Sequence, residues 1–106
     1  MIKNLTPHSI TIGTRNFPAP SKGTEVRVSV KRQQAGEFDG IKLFQTTMGG
    51  LENFTPPAQG EILIVSALAK AEILRQFPQF RGQIASPGQL LRDAAGVVIG
   101  ADGLDL

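Results

Sequence analysis

The longest strong apolar run in the chain is Ile62-Leu63-Ile64-Val65, and it limits what the rest can fold into. Its residues are mostly β-branched and do not alternate with polar ones, so a strand here needs cover on both faces and belongs inside a sheet. The run is far short of the roughly 20 residues that a membrane-spanning helix requires. Ser66 follows at once and suits a helix N-cap, its hydroxyl accepting from a backbone N–H that lacks an intrahelical partner. A helix is expected from Ala67 to Phe77, with Ala67, Ala71 and Leu74 on one face and Ile73 and Phe77 widening it. Pro78 lacks an N–H and disfavours helix at Phe77, so the helix should end there.

The remaining pattern is mainly β. Between Thr24 and Lys31, Val26, Val28 and Val30 alternate with Glu25, Arg27 and Ser29, which predicts a strand with one apolar face. Ile10 and Ile12 flank Thr11 in a short earlier strand. Residues Arg15 to Gly23, with Pro18 and Pro20, are expected to be loop. Gly36 and Asp39-Gly40 offer turn positions for a hairpin that returns through Ile41 to Phe44. Met48 to Gly60 has the composition of one long loop, with Gly49-Gly50 at its start and Pro56-Pro57 near its end. Ser86-Pro87-Gly88 is expected to turn the chain into a final hairpin, Gln89 to Arg92 and Val97 to Ile99. That hairpin closes on Asp93-Ala94-Ala95-Gly96, with Asp and Gly where a type I turn prefers them. The sum is one domain over residues 1–106, α+β and β-rich: a small twisted antiparallel or mixed sheet, or a partly open barrel, carrying one helix.

Composition removes several chemistries. The 106 residues include no Cys, which excludes disulfides, thiolate catalysis and zinc–cysteine sites. One histidine, His8, cannot build a zinc site within one chain. A pI near 9.4 at a net charge of only +2 reflects the lack of Cys and Tyr, which leaves almost nothing to titrate between carboxylates and lysines. The Lys and Arg residues are scattered, Lys31-Arg32 is their one adjacent pair, and there is no Trp or Tyr. Nucleic-acid binding is therefore disfavoured. With no apolar segment of signal-peptide length at the N-terminus, a cytoplasmic protein without membrane partners is expected.

Little in the sequence points to catalysis. The strand-Ser66-helix junction has Ile64 and Leu68 where a nucleophile elbow needs small residues, so Ser66 is better explained as a cap. Gly49-Gly50 lacks the Lys-Ser or Lys-Thr of a phosphate loop. His8 alone has an unperturbed pKa near neutrality; in Thr6-Pro7-His8-Ser9 it is either a ligand hydrogen-bonder or general base at a strand end, or a histidine that caps a turn or lies exposed. Phe17-Pro18-Ala19-Pro20 and Phe54-Thr55-Pro56-Pro57 each set a ring beside stiff backbone, where it can line a groove or plug the core.

Four segments, Asn4-Leu5-Thr6-Pro7-His8, Gly60 to Leu68, Ser86 to Asp93 and Gly96 to Gly100, together resemble small hypothetical proteins of phages, prophages and bacterial genomes that open with a similar Asn-Leu-Thr-Pro-His segment. The resemblance implies an intracellular accessory protein of a mobile element and transfers no catalytic residue. It marks Asn4, Thr6, His8, Ser66, Arg92 and Asp93 as candidate ligand-binding residues. The leading expectation is a non-enzymatic module that binds a small ligand or a protein, needs no cofactor or metal, and self-associates through unpaired edge strands. A small anion or nucleotide held by Arg92 and the Asn4 to His8 segment is one form of it. The alternatives are a small enzyme built around His8 at an oligomer interface and a structural or assembly protein of the virion.

Overall fold

A computed structural model describes all residues, Met1–Leu106. The apolar run becomes an interior strand: β6 (Ile62–Ile64) lies between parallel neighbours, β1 (Ile2–Asn4) on one side and β7 (Ile84–Pro87) on the other. A short antiparallel strand, β10 (Leu104–Asp105), completes this sheet beside β7. A second four-stranded sheet has the order β3 (Arg15–Phe17), β2 (Ile10–Ile12), β9 (Val98–Ala101), β8 (Leu90–Arg92). Within it β2 and β9 run parallel through the Ile12–Ala101 pair, and the other pairs are antiparallel. β4 (Arg27–Phe38) and β5 (Ile41–Glu52) pair only with each other. The fold is thus α+β and β-rich with mixed sheets, and its strands do not close into a barrel.

The missing alternation in the apolar run has a direct cause. Leu63 and Val65 point to one side of the sheet and join Val26, Ala69, Ile73 and Ile84 in the main core. Ile64, between them, points to the other side and packs with Ile10 and Phe17. Both faces are covered, one by the helix α1 (Ala67–Gln76) and one by the second sheet. Ser66 caps α1, its Oγ accepting from the Ala69 N–H at 3.1 Å. The helix ends on Phe77, whose N–H donates to the Ile73 carbonyl, and Pro78 opens a single 3-10 turn over Pro78–Phe80.

The inward face of α1 differs from the expected one. Ala67 and Ala71 are exposed, while Ala69, Glu72 and Ile73 are buried. A buried glutamate is tolerated because Arg75 and Gln76 donate to its carboxylate from the next turn. That pair also explains the charge state: hydrogen bonds from Arg75 and then Gln76 draw the Glu72 carboxyl from 4.5 down to about 2, against the opposing effect of burial.

Four segment expectations need correction. Arg15–Phe17 is strand rather than loop, because Phe17 is drawn into the Ile10–Ile64 core. The valine strand begins at Arg27 and continues to Phe38, well past Lys31. Its partner extends to Glu52, so the segment starting at Met48 is strand before it is loop. Ser86 and Pro87 lie in β7, paired with Asp105 and Leu104, so the chain turns only after them.

Of the two Phe-Pro segments, both rings go to the interior. Phe17 is buried, and Phe54 stacks on Phe77 with centroids 5.5 Å apart and meets Phe80 edge-on at 6.3 Å.

Candidate functional site

Two features leave surface unaccounted for: a projecting ribbon and an open cleft. The ribbon, β4 and β5, has 12 residues in each strand and reaches about 40 Å at 3.3 Å per residue. We call it the arm. Its tip is a type I′ turn, with Asp39 at φ +52° and Gly40 at +76°. Its root is fastened to the body: Val28 and Leu51 pack on the main core, and Asn53 donates to the carbonyls of Gly23 and Glu25 at 3.0 and 2.9 Å. The buried Glu25 carboxylate accepts from the Gly23 N–H and from Arg27. Backbone amide donation, first from its own N–H, together with Arg27 holds this carboxyl below the usual range.

Register sorts the arm's apolar residues into two sets. Val30 pairs with Met48, and Phe44 lies four residues from Met48 on the same face, with the Arg32 guanidinium 3.7 Å from its ring centroid. An irregularity between Gln34 and Gly36 then shifts the pattern. Beyond it Phe38 pairs with Ile41, and Leu43 shares their face, opposite to that of Phe44. Phe38 is 73% and Ile41 64% exposed. None of these six apolar residues is marked as a binding residue by the sequence. The available signal was Lys31-Arg32-Gln33-Gln34, four polar residues in succession within a strand, which leaves neither face apolar enough to lie on a core.

The cleft has a volume of about 890 Å³ and lies between the Thr6–Thr11 segment, the start of α1 and the β8–β9 hairpin. Its wall is organised by Asn4. The Asn4 Nδ2 donates to the carbonyls of His8 at 2.8 Å and Phe17 at 2.9 Å, and its Oδ1 accepts from the Thr6 N–H and Oγ1 at 2.9 and 2.7 Å. Both donors and both lone pairs of the amide are thereby used. Asn4 is buried behind the wall and offers nothing to a ligand. The Thr6 hydroxyl shares its single proton between Asn4 Oδ1 and the His8 carbonyl, at 2.9 Å from the latter.

Three of the six candidates line the cleft: Thr6, His8 and Ser66. Arg92 and Asp93 do not. Arg92 Nη1 donates to the Gly96 carbonyl at 2.9 Å, and Asp93 Oδ1 accepts from the N–H groups of Ala95 and Val97. Both serve the turn that closes β8 on β9. His8 is exposed and no carboxylate or cation lines the cleft with it, so an acid–base constellation is not assembled within one chain. No group of three or more His, Asp or Glu side chains converges to hold a metal ion. The rest of the lining is largely apolar, notably Leu90, Val98 and Ile99, each about half exposed.

Compared with known proteins, the chain matches no family model, no curated sequence and no solved structure. No helix is long and apolar enough to cross a membrane.

Proposed function

We propose that the chain is a non-enzymatic protein-interaction module whose docking element is the arm, and that it works as an accessory or assembly protein of a phage or prophage. One observation carries the reading: the arm is a two-stranded ribbon with free edges that exposes Val30, Phe38, Ile41, Leu43, Phe44 and Met48. A two-stranded ribbon is marginal in water without a partner, and exposed apolar side chains on it favour association. A small anion is a weaker fit to the cleft, whose lining holds no Lys or Arg.

The test is a photo-crosslinking residue at Phe44, with the exposed Gln79, outside both the arm and the cleft, as the control position, in the source cell. Covalent adducts to protein from position 44 well above those from position 79 support the reading. Equal, background yields at both positions overturn it.

A further inference from the structure

The chain exposes more surface than its mass requires. Its accessible area is 7285 Å², whereas a compact monomer of 11.3 kDa is expected near 5,700 Å². The radius of gyration is 16.6 Å, against about 13 Å for a compact domain of this length. The excess, about 1,500 Å², is close to two contacts of the roughly 800 Å² that each partner contributes to a standard interface. One contact per arm and one per cleft would remove it.

The arm tip and the cleft have complementary chemistry. Phe38, Ile41 and Leu43 form a convex apolar set, and Leu90, Val98 and Ile99 form the apolar part of a concave one. The cleft lining holds no charged side chain to be stripped of water by an incoming ring. Lys42 and Glu37 form a cross-strand pair near the tip, on the face away from Phe38 and Ile41. Further down the arm, Lys31 and Arg32 stand among residues 29–36 and 43–51 without any acid, while residues 89–106 carry Asp93, Asp102 and Asp105 against Arg92 alone. No arm residue lines the chain's own cleft.

Resting on the reading of the arm as a docking element, we infer that its partner is a second copy of this chain, with the arm tip of one copy seated in the cleft of the next. Such a contact joins two different surfaces, so each copy gives an arm and receives one. Repetition of the contact yields a closed ring, or an open filament if the rotation does not close.

The absence of cysteine makes the test clean. Purified I41C and V98C chains are mixed under mild oxidation, and each is also oxidised alone. A disulfide-linked dimer that forms in the mixture and exceeds those of the single variants supports the inference. It should be accompanied by oligomers in sedimentation of the unmodified chain, and by association about 30-fold weaker in F38S/I41S, the loss expected for a central apolar anchor. Far-ultraviolet circular dichroism unchanged in F38S/I41S separates lost docking from lost folding. Dominant I41C homodimers would mean tip-to-tip pairing and overturn the cleft assignment. A chain that stays monomeric at all concentrations and gives no mixed dimer overturns the second copy as partner. In that case crosslinks from position 44 to another protein still uphold the interaction module, and their absence removes both readings.

Discussion

Asn53 ties the two sides of the arm's root together: its side-chain amide donates to the Glu25 carbonyl at 2.9 Å from a backbone held at φ +64°. The same amide reaches the Gly23 carbonyl, so one residue fixes the segment that enters β4 from the segment that leaves β5. A lever about 40 Å long is only as well directed as its root. The positive φ explains why asparagine occupies the position, since it combines tolerance of that region with a short amide.

Replacing it separates the two contributions. Asn53→Ala loses both hydrogen bonds and strains the backbone, and should cost about 2–3 kcal/mol in chemical denaturation. Asn53→Gly relieves the strain and keeps only the hydrogen-bond loss, about 1–2 kcal/mol. Amide exchange in β4 and β5 should quicken in both. Equal stability of the two variants would show that backbone strain contributes nothing.

The saturated Asn4 amide predicts a graded series. Asn4→Ala leaves the Thr6 N–H and the carbonyls of His8 and Phe17 without that partner in a buried setting, at about 2–4 kcal/mol. Thr6→Val removes one shared hydroxyl and keeps the backbone bond to Asn4, at about 1 kcal/mol. Thermal denaturation of the two variants checks the order; the reverse order would contradict a structural role centred on Asn4.

Glu72 gives a pH dependence of known sign. Its carboxyl ionises near 2 in the folded chain and near 4.5 when unconstrained. Because the folded value is the lower one, its contribution to stability is present above 4.5 and is lost as pH falls towards about 2. The stability difference between the natural chain and Glu72→Gln should therefore be constant at neutral pH and shrink across that acid interval. Denaturant midpoints measured at several pH values test it, and a difference independent of pH would refute it.

Gly100 sits where β9 passes β2, and a Cβ there would lie 2.5 Å from the Thr11 carbonyl oxygen. Gly100→Ala must push the two strands apart at their single parallel pairing, with an expected loss of about 1–3 kcal/mol. Both residues also line the cleft. Loss of the mixed I41C–V98C disulfide in a folded Gly100→Ala background would link the cleft's shape to docking.

Local features were legible where short-range chemistry decides them. The Ser66 cap, the helix stop at Pro78 and the Asp93–Gly96 turn each depend on groups a few residues apart. The candidate site was less accessible. Asn4 and Phe17 are 13 residues apart, and nothing local announces that the amide of one serves the carbonyl of the other. Periodicity alone turns the wrong face of α1 inward, because a charged side chain counts as outward in such a pattern, whereas Glu72 goes inward with its own partners.

The sequence by itself determined the interior strand, the capped helix and the closing hairpin, since unbroken β-branched runs, caps and turns act over a few residues. Only the tertiary structure decided which surfaces remained. Burial of Ile64 against Ile10 and Phe17 used up one face of the central sheet, and the helix used up the other. The core then had no face left for the far half of β4 and β5. The arm and the cleft are what remains after that core is filled.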